Sequence, residues 1–144
     1  MLPANARLLN NEEAALSRRG FPILFHGAWR QSVDTAQRAT GALVDGGRSV
    51  GAQRELSGYI ALSAESYLHV DVNLWLCQFA TGSDHLGDVQ APPLPPGAIA
   101  DSAAEPVAIS KLSVLNQRRK VRSGELHYFD NPRFSALLLV KPVD

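Results

Sequence analysis

The 144-residue chain holds one cysteine, Cys77, and one methionine. A single thiol excludes an internal disulfide and leaves zinc ribbons, iron–sulfur centres and paired-thiol redox motifs without ligands. No window reaches 18 apolar residues, so no membrane span is expected. Net charge is missing too: 14 Lys+Arg balance 14 Asp+Glu, which argues against a dedicated nucleic-acid binder with its overall basic surface. Residues Met1 to Asn5 carry neither a basic start nor an apolar run, so no signal peptide is read there. There is no phosphate-cradling glycine motif, and Asp45-Gly46-Gly47 reads as a turn. With 45% hydrophobic residues, what is left is one ordinary domain spanning 1–144. A domain of that size folds without disulfide or metal support, and no motif implies a cofactor.

The pattern of what is present points to a sheet. Leu8, Leu9, Ala14, Ala15 and Leu16, with Glu12 and Glu13 ahead of Arg18 and Arg19, predict an N-terminal helix that stops at Gly20. The apolar run Ile23-Leu24-Phe25 behind Pro22 predicts a strand over 22–30, whereas 31–53 fits a loop, a helical turn or a short strand equally. From Glu55 onward alternation is decisive. Leu56, Gly58, Ile60 and Leu62 share one face; after Ala64-Glu65-Ser66 the pattern resumes with Leu68, Val70, Val72, Leu74 and Leu76. His69, Asp71, Asn73, Trp75 and Cys77 take the opposite face, so the pair reads as an antiparallel hairpin with one solvated side. Residues 81–106 contain five of the nine prolines and no Lys or Arg, which marks a proline-rich insertion loop. Strands are expected again over 107–122, 125–129 and 135–140. The resulting fold class is α+β: a largely antiparallel sheet of about five to seven strands with the N-terminal helix on one face.

Catalytic signatures are weak. Gly47-Arg48-Ser49-Val50-Gly51 spells the hydrolase elbow, but a strand follows it where that motif requires a helix. His69 and Asp71 share a strand face, yet no histidine pair has the spacing of a metal site, and a solvent-facing polar pair is the simpler reading. The charge distribution says more. Lys111, Arg118, Arg119, Lys120 and Arg122 fall between 111 and 124 with no acid among them. On an extended strand Arg118, Lys120 and Arg122 project to one side at intervals of roughly 7 Å. Such a row suits a solvated edge strand protected against aggregation, which the residues alone favour. It also suits a groove for an anionic polymer, where arginine supplies forked donors. Trp29, Trp75 and Tyr128 offer flat faces for sugar rings, though aromatics of this kind more often pack in a core.

Four segments together resemble the CsiV-type peptidoglycan-binding proteins of the Gram-negative envelope. They are Phe25-His26-Gly27-Ala28-Trp29-Arg30-Gln31, Glu55-Leu56-Ser57-Gly58-Tyr59-Ile60, Tyr67 through Leu76, and Arg119 through Pro132. The last is the most specific: a basic strand, a Ser-Gly turn, Glu-x-His-Tyr and then Asp-x-Pro. The likeness runs from about residue 20 to 142, apart from the proline-rich loop, for which it offers no role. It implies a periplasmic protein, not an enzyme, that binds peptidoglycan and supports cell-wall synthesis. The alternative it leaves is an adaptor docking an outer-membrane lipoprotein that activates a penicillin-binding protein. Members of the family normally carry a secretion signal and a further N-terminal strand, so the chain is expected to be a C-terminal portion whose open sheet edge can form a homodimer. No catalytic or metal residues carry over. The ligand-binding candidates are Arg118, Arg119, Lys120, Arg122, Trp29, Arg30, Trp75 and Tyr128, with Arg133 as a further cation.

Overall fold

A computed structural model describes residues 1–50, 53–79 and 109–143. The expected proline-rich loop at 81–106 lies outside the described residues. Among the described residues six strands and one α-helix form in the order α1 (Asn10–Arg18), β1 (Gly41–Val50), β2 (Gln53–Ala64), β3 (Leu68–Phe79), β4 (Ile109–Lys120), β5 (Leu126–Asp130) and β6 (Ser135–Leu139). They make two antiparallel sheets rather than one, a four-stranded meander β1-β2-β3-β4 and a β5-β6 hairpin. The division follows from the Ser123-Gly124 turn. Gly124 takes φ 82°, a left-handed conformation that favours glycine, and its N–H donates to the Val140 carbonyl.

The alternation in β2 and β3 sets the core. Leu56, Ile60, Leu62, Val70, Val72 and Leu74 bury one face of the meander together with Val44, Leu115 and Val121. Phe129, fully buried, enters from β5, and Ala136 and Leu138 of β6 pack beside it, so the hairpin lies across that face. Trp29, Leu24 and Phe25 cover the remainder. The 22–30 segment is therefore apolar for packing, not for pairing: it forms no strand, which corrects the sequence expectation. A hydrophobic run signals burial, and nothing in it distinguishes a ladder partner from a strap laid over a sheet.

The second correction concerns Asp45-Gly46-Gly47. These residues do not turn the chain; they lie inside β1, where the register against β2 shifts between Gly46 and Ser49. The two glycines serve separate needs. Gly46 is where the strap crosses, since a Cβ there would collide with the Leu24 carbonyl. Gly47 takes φ 74° in the bulge.

Helix α1 carries Glu12 and Glu13 in its first turn and Arg18 in its last, complementing the helix dipole. It ends in a Schellman motif: Phe21 N–H donates to Leu16 O, Gly20 N–H donates to Ser17 O, and Gly20 adopts φ 85°. None of its residues is buried, so the strap, not the helix, covers the sheet. Instead the helix is tied to the strap by His26, whose Nδ1 lies 2.6 Å from Glu13 Oε2 and whose Nε2 lies 2.6 Å from Leu8 O.

The face opposite the core is divided. His69, Asp71 and Asn73 keep it polar at one end. At the other, Trp75, Cys77, Phe79 and Ile109 form a second buried cluster with Leu112 beside it. The expected single solvated face is thus only half present, because β3 carries Trp75, Cys77 and Phe79 on its outer face beyond Asn73.

Candidate functional site

Register places the cations. Arg118 stands opposite Asp71 and Lys120 opposite His69 on the polar half of the outer face. Arg118 Nη1 lies 3.8 Å from Asp71 Oδ2, with Arg118 exposed and Asp71 half-buried. At that separation in solvent the pair contributes about 0–1 kcal/mol, so Arg118 remains available to another anion. Lys120 Nζ sits 3.3 Å from the centroid of the Tyr67 ring, itself 57% exposed. That cation–π contact is worth about 0.5–1 kcal/mol at an exposed site and orients the ammonium beside an open aromatic face. Arg122 follows buried Val121 and is exposed; its backbone N–H donates to His127 Nε2 at 3.3 Å. Arg118, Lys120 and Arg122 thus form an outward row with Tyr67 beneath it, and β4 is an edge strand of the meander.

Arg119 points the other way. Its Cζ lies 4.1 Å from the centroid of buried Phe129, Nη1 donates to Tyr128 O at 2.6 Å, and Nη2 donates to Gln117 Oε1 at 3.0 Å. The guanidinium clamps β4 to β5, with its donors aimed at the Tyr128 carbonyl and the Gln117 side chain. Trp29 is half-buried on the same side and donates from Nε1 to Gln31 Oε1 at 2.6 Å. Arg30 beside it is exposed.

Trp75 shares the face of Arg118 but is only 2% exposed, and its Nε1 finds no hydrogen-bond partner among the described residues. It packs in the second cluster rather than presenting a platform. Tyr128 is 52% exposed. Alternating with inward Phe129, it stands on the outer side of the β5-β6 hairpin, away from the Arg118 row. Its hydroxyl lies 2.9 Å from Ser135 Oγ, which donates to Asp130 Oδ1 at 2.7 Å. The Ser135 hydrogen bond, with help from Tyr128, holds the Asp130 carboxyl below its ordinary range. The eight candidates are therefore distributed over both sides of the molecule, and three of them form one exposed row.

Tyr67 was not singled out from the sequence as a candidate. The available signal was its position: it directly precedes a strand whose first pair, His69 with Lys120, brings the ring under the ammonium. Ser49, the elbow serine, sits exposed in β1 and pairs with Arg54 of β2. His69 Nδ1 faces Tyr67 O at 3.2 Å, and Asp71 faces Arg118. Among the described residues no three His, Cys, Asp or Glu side chains cluster as a metal site would need.

A family model described as "Peptidoglycan-binding protein, CsiV" matches residues 1–143. The match extends over the helix and strap as well as the residues from 20 onward that carry the resemblance. No curated protein and no solved structure matches significantly.

Proposed function

The chain belongs to the CsiV family of peptidoglycan-binding proteins, and on that premise we propose that it is a non-catalytic periplasmic protein that grips peptidoglycan through the outward row Arg118, Lys120 and Arg122 and so supports cell-wall synthesis. The observation that carries this reading is the row itself: three exposed cations with one weakly engaged acid, Asp71, beside an exposed tyrosine ring. Forked guanidinium donors suit the carboxylates of stem peptides and lactyl groups, and the Tyr67 ring suits the apolar face of a sugar. Arg30 and Tyr128 lie elsewhere on the exposed surface and serve at most as outlying contacts for a long strand. Arg119, Trp29 and Trp75 support the scaffold.

Co-sedimentation with purified sacculi tests the proposal. The Arg118→Ala/Lys120→Ala/Arg122→Ala protein is expected in the supernatant under conditions where wild type pellets, while an Arg18→Ala control pellets normally. Equal pelleting of the triple variant would refute the role of the row. A second reading, docking of an envelope protein on the sheet edge, is favoured by exposed Leu43 and Val50 on edge strand β1. Crosslinking in intact envelopes separates the two: recovery of glycan fragments without a protein partner counts against docking.

A further inference from the structure

At the end of the meander remote from Arg118 the sheet forks. β2 and β3 stop pairing at Leu56 with Leu76. β1 and β2 stay paired out to Val50 with Gln53, and β3 and β4 out to Phe79 with Ile109. Two hairpin arms diverge, and the cleft between them, open to solvent, has a volume of about 270 Å³. Arg48 and Glu55 line it from the first arm, Gln78, Lys111 and Ser113 from the second, and Arg133 from the β5-β6 connection.

Its electrostatics are unusual for a chain of zero net charge. Three exposed cations, Arg48, Lys111 and Arg133, line the cleft together with one carboxylate, Glu55. Among the described residues none of the three pairs with an acid within 4.0 Å. Glu55 is held in place by the β1 bulge. Its Oε1 accepts the Arg48 backbone N–H at 3.2 Å, and a Cβ on Gly47 would come within 2.8 Å of the Glu55 Cβ. The left-handed glycine, the register shift and the acid therefore form one local unit, which leaves the second carboxylate oxygen without a bond from Arg48.

We propose that this cleft binds the end of a short peptide carrying at least two carboxylates and one free amino group. The three cations supply donors for the carboxylates, and Glu55 supplies the acceptor for the ammonium. A phosphate group would gain from the cations but meet Glu55 as a like charge, so a zwitterionic peptide is the better complement. The volume is just below the usual range for small-molecule sites, which fits a peptide end rather than a folded partner. Given the reading above, on which this inference rests, the ligand is the peptide stem of peptidoglycan, with glycan and further carboxylates held by the Arg118 row. Lys111 and Lys120 are nine positions apart on β4, about 30 Å along the strand. The cleft and the row are thus separate, and a polymer touching both gains from effective concentration.

Fluorescently tagged stem peptides released from purified sacculi by an amidase, used with and without acetylation of the free amino group, provide the probe. The Lys111→Ala/Arg133→Ala protein is expected to bind the free stem at least tenfold more weakly than wild type. Arg18→Ala, on exposed helix α1 and outside both cationic sites, should bind it as wild type does. Acetylation should weaken wild-type binding by up to about fivefold, the value of one exposed ion pair, and Glu55→Gln should erase that preference. Wild-type affinity in the Lys111→Ala/Arg133→Ala protein, or indifference to acetylation in wild type, would overturn the inference. Sacculus binding without stem binding would overturn this inference alone, whereas failure of wild type to bind sacculi at all would remove the reading beneath it.

Discussion

Replacing Arg119 by Met separates scaffold from binding surface within one run of cations. The substitution keeps most of the aliphatic stem over Phe129 but removes the guanidinium, and with it the bonds to Tyr128 O and Gln117 Oε1 and the cation–π contact at 4.1 Å. A hydrogen bond from a charged donor contributes about 1.5–3 kcal/mol; because this guanidinium is only partly buried, about 1–2 kcal/mol is the appropriate figure for the two bonds. The cation–π contact adds about 0.5–1 kcal/mol, so the loss should total about 1.5–3 kcal/mol. For a chain of this length that corresponds to a Tm lower by about 5–10 °C. Thermal unfolding followed by circular dichroism measures it, and sacculus co-sedimentation well below the transition measures binding. Arg119→Met should be clearly less stable yet pellet like wild type; Arg118→Ala should show the reverse pattern. An Arg119→Met protein with unchanged Tm and lost binding would refute the division.

Other perturbations probe the scaffold and its ionisable groups. Gly46→Ala places a methyl against the Leu24 carbonyl; loss of soluble folded protein, or a destabilisation above about 3 kcal/mol in urea titration, is expected because backbone cannot yield as a side chain does. Asp130 has a lowered folded pKa, so its stabilising effect is present above the unfolded value of 3.8 and fades as pH falls through the folded value. Ser135→Ala should move that carboxyl titration, followed by NMR, upward. Burial raises the Cys77 thiol, against a weaker opposing bond from Gln53. The folded state thus retains a proton that the unfolded chain loses, and stability should fall as pH rises past the thiol's ordinary value of 9.0. Maleimide labelling of Cys77 should be slow until the chain unfolds; rapid labelling at pH 8 would contradict its burial.

Period-two alternation made β2 and β3 readable residue by residue, because a half-buried antiparallel strand must sort its side chains between two faces. The helix stop was equally legible, since Gly20 alone tolerates the backbone the Schellman motif needs. Failures arose where one residue type serves two geometries. Ile23-Leu24-Phe25 buries itself equally well as strand or strap, and Gly46-Gly47 permits a close crossing and a bulge as readily as a turn. Similarly, alternation puts Arg119 on the far side of Arg118, but only the β5-β6 hairpin folding back brings Phe129 under it. The fork and its cations depend on where β2 and β3 stop pairing, and local sequence carries no mark of that point.

Chemical-shift mapping on the isotopically labelled protein, a feasible target at 15.5 kDa, examines the claim of a basic wall-binding face without any substitution. Soluble glycan-peptide fragments released from sacculi are titrated while backbone amides are followed at low and high salt. Residues 118–122 and 67–71 should shift together, and the response should shrink between 0.1 M and 1 M salt as the Debye length falls from about 10 Å to about 3 Å. Shifts confined to the β1 edge, or a response at 118–122 indifferent to salt, would contradict it.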